Sequence, residues 1–509
     1  MTTSLILNHI QNKQYLAAFS LIQKMDQRSA LTNYLHGFNQ FSQQRYDRAA
    51  YYLEKANKIA PADIDIAVML LDVYIILNNK DKVLELAYAC AMLHKTDYRF
   101  PYYIAVVSAK ENPKLALDLF NKSLSLDPPA DFQSTIFACI SSIQIDLANY
   151  EEAEKYAAFS ILTHENSEAY LHMSLCALQK LNFNTARESI ESAEKLKTMG
   201  LNRSGFALSL IELTNGNISK GLELYENRIF FNEKLNRHKF LKRGTETKSV
   251  QIVPEQGLGD FIQFARFVPE LQKKIKDVIL ICPDNPFTWE TGRDFETIHE
   301  NLSDLVQISG KININHWKMK QDIPVLPIMS IPYYLGYESW DNLPPPVSLD
   351  VCPRNANLTR FAVDRDNYTI ISWKGSIGHT NNKMRSMTKE EAQKLINENP
   401  QEKWVNIDLS EELYNCENIG KELKSLRDLA WVISWCKQFV GIDSLPAHIA
   451  GSLKCKGYIL HSYMPDWRWG LEEKNLWYPT LTNIRKDHCT TDWISSNVIN
   501  KVTQRLQQN

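Results

Sequence analysis

Nowhere in these 509 residues does an apolar run approach the ~20 residues that cross a bilayer, so no membrane span is expected. The opening MTTSLILNHIQNKQ holds only a short apolar run, too short for a signal peptide. Excess charge of one sign is missing too: 57 Lys and Arg face 59 Asp and Glu, for a formal net charge of -2. That balance gives no support for a nucleic-acid partner or a polybasic membrane surface. The nine cysteines are scattered and form no CxxC pair. An odd count without a pairing pattern argues against a disulfide scaffold and a zinc site, and fits a reducing, cytoplasmic setting. Cys90, Cys139 and Cys176 lie in apolar helical pattern, where a buried free thiol is the plain reading.

What is present falls into two kinds of text. A chain this long exceeds one core, so about two to four domains are expected. The first part repeats itself. Gly37, Tyr46, Ala49, Leu53, Ala56 and Pro61 set a pattern that returns as Ala116, Phe120, Ser123 and Pro128. It returns again as Tyr150, Ala153, Ala157 and Ser160, and as Phe183, Ala186, Ile190 and Ala193. A degenerate copy opens the chain (Tyr15, Ala18, Ile22, Met25), and weaker ones start at Val83 and Ile218. The period is about 34 residues, two helices per unit, with small residues where helices cross. LEKANKIAP and LFNKSLSLDP resemble the second helix and closing proline of the tetratricopeptide repeat. The likeness covers residues 1–235 and implies an α solenoid whose groove holds a protein or peptide.

After Arg228 the pattern changes. FLKRGTETK (240–248) reads as a polar linker. Apolar, β-rich runs then alternate with helical patterns: Val250–Val253, Val278–Cys282, Thr369–Trp373, Trp404–Ile407, Phe439–Ile442 and Gly457–His461. Helices are expected at 260–274, 388–398, 426–437 and 446–453, with a last amphipathic one over Trp493–Gln507. Such alternation predicts parallel sheets covered by helices. NLPPPVSLDVCP (342–353) is the expected connector between two Rossmann-like halves facing a cleft. The domains are therefore 1–235 (solenoid), 236–350 and 351–509.

The second part is organised around SVQIVPEQGLGDFIQFARFVPELQ (249–272), a strand, a turn with Gly257 and Gly259, and a helix with Asp260 at its start. The glycines are expected to let the backbone turn tightly or a ligand approach it. Asp260 is either an N-terminal capping acid or a general base. FVGIDSLPAHIAGSL (439–453) reads as a strand, then Asp443-Ser444, then a helix with proline in its first turn. Its free amides make an anion site that Lys374, Lys383 or Arg385 of WKGSIGHTNNKMRS (373–386) can reach.

GLGDFIQFARFVPEL, MRSMT and VGIDSLPAHIAGSL, in this order, resemble the ADP-heptose–lipopolysaccharide heptosyltransferase family of GT-B glycosyltransferases. IPVLPIMSIPYYLGY (323–337), DWRWG and LWYPT resemble its tetratricopeptide-bearing relatives, flagellin-modifying enzymes included; the likeness covers 249–490. In order of parts the chain also resembles protein O-GlcNAc transferases. The resemblance implies that Asp260 is the base, and that Asp443, Ser444 and His448 bind the donor, a structural histidine on the helix being the alternative for His448. It implies that Arg385 steadies the leaving diphosphate. Lys374 departs from the family, which has a small residue there. Asp466, Trp467, Arg468 and Trp469 are expected to build one wall of the cleft. With no DxD dyad after a strand and no His/Cys cluster, transfer is expected to be metal-independent, with a nucleotide sugar as co-substrate and no cofactor. The implied activity is glycosyl transfer to a protein in the repeat groove, flagellin being the first candidate. A lipopolysaccharide or other glycan acceptor, and a non-catalytic scaffold, are the alternatives. ADP-heptose, a UDP-hexose and a CMP-nonulosonate are equally compatible donors.

Overall fold

The computed structural model describes residues 2–196, 201–231, 239–282, 305–307, 313–316, 320–376, 379, 381–408 and 411–508. The expected boundary at 235/236, and Ile377, Gly378 and Thr380 of the 373–386 stretch, lie outside the described residues. The chain divides into two compact units: Met1–Ile145 with Glu151–His172, and Asp146–Tyr150 with Met173–Asn509.

The first unit is a helical solenoid. Its helices come in consecutive pairs: Thr2–Gln11 with Tyr15–Ile22, Ala30–Ser42 with Tyr46–Ile59, Ile64–Ile76 with Lys80–Leu93, and Arg99–Ser108 with Pro113–Leu124. The small residues are small because helices touch there. A Cβ on Gly37 would meet the Leu53 side chain at 2.6 Å. Turns repeat as faithfully as helices do. Lys13, Gln44 and Asn78 each take a left-handed conformation between the two helices of a pair. Leu181 and Gly216 do the same in the second unit. A left-handed residue of this kind ends a helix and satisfies its last carbonyls.

The second unit carries the helices Phe183–Lys195, Leu201–Thr214 and Ile218–Tyr225, then two parallel sheets. The strands are β1 Ser249–Val253, β2 Asp277–Cys282, β3 Val306–Gln307, β4 Asn313–His316, β5 Val325–Pro327 and β6 Ser348–Leu349. There follow β7 Thr369–Ser372, β8 Trp404–Asn406, β9 Glu417–Asn418, β10 Gln438–Ile442, β11 Gly457–His461 and β12 Leu481–Arg485. All six expected β-runs are strands. Five of them (β1, β7, β8, β10 and β11) are buried along all or almost all of their length, as parallel strands between helical layers should be.

The first sheet has the order β4-β2-β1-β5 and the second β12-β11-β10-β7-β8-β9, parallel throughout. β3 and β6 form a separate antiparallel pair. In each large sheet the strand order reverses beside its first strand, between β1 and β5 and between β7 and β10. Ligands of open α/β sheets bind outside the carboxyl ends of the strands at such points.

One apolar core runs from the last helical pair (Leu213, Leu222, Tyr225) through both sheets to Trp467 and Trp477. The other face of the second sheet is covered by the helix Val498–Gln508. That helix starts five residues later than expected. Asp492 caps the backbone of Ile494 and Ser495, Asn497 is left-handed, and the Trp493 amide goes to Glu391 at 2.7 Å. The expected linker is partly strand-like: Phe240 bridges to Val325, and the Leu241 amide donates to the Val325 carbonyl at 2.9 Å.

Candidate functional site

The loops that leave the carboxyl ends of β1, β7, β10 and β11 meet. β1 runs into Pro254–Gln256, where Gln256 takes the left-handed conformation with φ 56°. The helix Leu258–Phe264 then starts two residues before Asp260, with Gly257 as its N-cap at φ −90°. The tight turn therefore rests on Gln256 rather than on the glycines. Asp260 sits in the third helical position and folds back, its Oδ2 accepting the Gly257 amide at 2.6 Å.

Gly259 answers a different need. A Cβ there would lie 2.4 Å from Cδ2 of His448, so the helix from β1 and the helix Leu445–Ser452 from β10 touch at this residue. His448 is buried; its Nδ1 lies 3.2 Å from the Tyr478 hydroxyl and its ring 5.1 Å from that of Trp469. Burial pushes its pKa down to about 3, against weaker pulls from Asp443 and Asp466. The imidazole is thus neutral at ordinary pH and contributes packing and a hydrogen bond, not charge.

Arg468 ties the halves together. Its Nη1 pairs with Oδ1 of Asp260 and lies 3.3 Å from Gln263 Oε1. Its Nε and Nη2 form a fork on Asp466 at 2.7 and 3.1 Å. Burial pulls the guanidinium pKa down, but Asp260 and Asp466 outweigh it and hold the group well above its ordinary value. Asp466, raised by burial but drawn further down by Arg468, stays below the usual carboxylate range. Both oxygens of Asp260 are therefore engaged.

Arg385, from the loop after β7, donates from Nη1 to the Asp443 carbonyl at 3.1 Å, spanning the β7/β10 reversal point. Its Nε is buried and has no hydrogen-bond partner among the described residues. Burial lowers the Arg385 pKa, while Asp443, Asp260 and Asp466 pull it back up. The turn that carries it is held by Lys486, whose buried Nζ donates to the Met384 carbonyl at 3.0 Å. Ser444 is the N-cap of the helix after β10, yet its hydroxyl turns back to the Ile442 carbonyl at 3.2 Å. Lys374 points elsewhere: it pairs with Glu411 and lies 4.6 Å over the Trp373 ring. Lys383 is exposed.

Asp260, Arg385, Asp443, Ser444 and His448 thus share one junction with Gly257 and Gly259, while Lys374 is paired with Glu411 instead. The roles of Arg468 and Gln263 were not legible beyond the cleft-wall expectation. The D-x-R spacing of Asp466 and Arg468, which allows the fork, was the one available signal. Among the described residues no group of three or more His, Cys, Asp or Glu is placed to hold a metal. No described helix is long and apolar enough to cross a membrane.

No protein-family model matches the chain, and no curated protein matches it. Solved structures with a likeness include the APC/C hetero-tetramer Cut9–Hcn1, at 15% identity over 46% of this chain and 48% of that one, TM-score 0.39. Another is PilW, a widely conserved type IV pilus biogenesis factor (15%, 42% and 99%, TM-score 0.36). A third is a thermophilic TPR protein of Thermus thermophilus (15%, 35% and 99%, TM-score 0.32). The chain spans about half the length of the first of these. At such scores the likeness is one of helical fold and carries nothing about activity.

Proposed function

We propose that this chain is a metal-independent glycosyltransferase of GT-B architecture that moves a sugar from a nucleotide donor to a protein hydroxyl, with the repeats recruiting the acceptor. One observation carries the reading. An acid from the first sheet, Asp260, and a basic group beside a helix start from the second, Arg385 and Ser444, converge at the strand-order reversal of a parallel sheet, and such a helix start suits an anion. The motif resemblance supports it independently.

In the proposed step the acceptor oxygen attacks the anomeric carbon as the bond from that carbon to the phosphate oxygen breaks. The hydroxyl proton passes to Asp260, and the electron pair leaves with the nucleotide. Arg385 and the backbone amides after Asp443 neutralise the charge that develops on the leaving group. Flagellin is the first acceptor to try, on the resemblance alone, and a glycan acceptor is the alternative within the same chemistry. A second reading, a repeat scaffold with an inactive transferase part, is favoured by one fact: both carboxylate oxygens of Asp260 are already bonded, to Gly257 and Arg468. Co-expression with candidate acceptors and intact-mass measurement separates the two. The transferase reading expects a sugar-sized mass gain with the wild type and none with Asp260→Asn. Equal gain with both overturns the assignment of Asp260, and no gain with any acceptor favours the scaffold.

A further inference from the structure

The first sheet has its own strand-order reversal, between β1 and β5, and a side chain from the turn that follows the last helical pair reaches it. Arg228 follows the helix Ile218–Tyr225 and is buried. It forks onto Glu255, just beyond β1, from Nε and Nη2 at 2.9 and 2.6 Å. The same Nη2 reaches the Ser330 hydroxyl, just beyond β5, at 2.8 Å. Glu255 in turn accepts the Met329 amide at 3.1 Å. The place where an open sheet would receive a ligand is thus closed by a residue of the helical part.

Tyr225, one turn earlier, completes the arrangement. Its hydroxyl accepts from Gln256 Nε2 at 2.8 Å, and Gln256 is the left-handed residue that aims the chain into Gly257 and Asp260. Its ring stands edge-on to Trp467, 5.6 Å away, beside Arg468. Both partners of the Asp260–Arg468 pair therefore lean on one helical turn. A bidentate, buried guanidinium–carboxylate pair fixes orientation as well as distance.

We infer that Tyr225 and Arg228 are positioning residues, through which the last helical pair sets the Glu255–Gly257 turn and so the placement of Asp260 at the site. The catalytic consequence rests on the transferase reading; the positioning itself does not. The direct test is hydrogen exchange of the full-length protein over residues 255–261. In Tyr225→Phe, which keeps the ring and removes one hydrogen bond, exchange of this segment is expected to rise about fivefold. In Arg228→Lys, which keeps the charge and loses the fork, a rise of about tenfold or more is expected. Exchange in β10 and β11 stays at the wild-type rate. Arg360→Lys, the same change at a surface clamp on Glu417 and Glu422, is the control. Wild-type exchange of the segment in Tyr225→Phe, or equal loosening in Arg360→Lys, overturns the inference. With a nucleotide sugar that the wild type turns over, both site variants lower kcat and leave the donor KM within about twofold. A change confined to KM counts against positioning of Asp260. A wild type that turns over no donor fails the transferase reading alone, and the exchange result still decides this one.

Discussion

Gly259 and His448 touch: a methyl group on the glycine would fall 2.4 Å from the imidazole, closer than any two carbons approach without displacement. This contact joins the first helix of one sheet to the helix after β10 of the other. It explains why a residue with poor helix propensity stands inside a helix.

Gly259→Ala is accordingly expected to lower stability by about 1–3 kcal/mol, the usual cost of overpacking against a ring that cannot swing away. The melting temperature reads it. Truncating the obstacle, His448→Ala, is expected to make the second change nearly free, so the double variant is more stable than the sum of the singles predicts. Additive losses would mean that the contact is not the reason for the glycine.

His448 also sets an acid response. Its folded pKa, about 3, lies below the ordinary 6.5, so the unfolded chain binds the extra proton in between. The linkage slope is then positive: stability is complete above about pH 6.5 and falls as the pH drops toward 3. Replacing His448 with Gln, which cannot titrate, is expected to flatten the melting-temperature profile over that window. His461, buried and lowered in the same direction, keeps part of the slope. An unchanged profile in His448→Gln would contradict the neutral, buried imidazole.

Arg468→Gln removes the cation between two carboxylates. Breaking a largely buried pair costs about 3 kcal/mol, because Asp260 and Asp466 are left facing each other without it. Asp466 is depressed in the folded state, so its stabilising contribution is present above its unfolded pKa, about 4, and is lost as the pH falls below that. The variant should lose that acid-side component while remaining less stable at pH 7. A melting temperature within about a degree of wild type at neutral pH would show that the pair does not hold the halves together.

Much of this architecture was legible in the residues themselves. Small residues at a fixed period announced helix crossings, and Gly37 against Leu53 shows why. Val250–Val253 and Phe439–Ile442 read as strands because parallel, doubly covered strands need unbroken apolar runs. Asp443 stood out because it directly follows such a run, and Asp260 and Arg385 because the motif resemblance marks them. Other features depend on distant partners and left no local mark. Gly259 looked like a turn residue because nothing in its own segment points to His448. Arg468 looked like part of a wall because its partner Asp260 lies far away in sequence. Arg228 sat in one of the two weaker repeat copies, where loss of the repeat pattern concealed its bond to Glu255. β12 and the short strands β5 and β9 escaped for want of length or apolar periodicity.

The most direct test of the central claim is a melting-temperature shift of the full-length protein against UDP, ADP, GDP and CMP, each with and without its sugar. A ligand at about a hundred times its Kd adds roughly 2.7 kcal/mol, which for a unit of this size is a shift of about 2–4 °C or more. The account predicts such a shift with one nucleotide, its loss in Arg385→Gln, and its retention in Asp260→Asn. No shift with any of the four, or a shift that Arg385→Gln leaves intact, would contradict a donor site at the β7/β10 reversal.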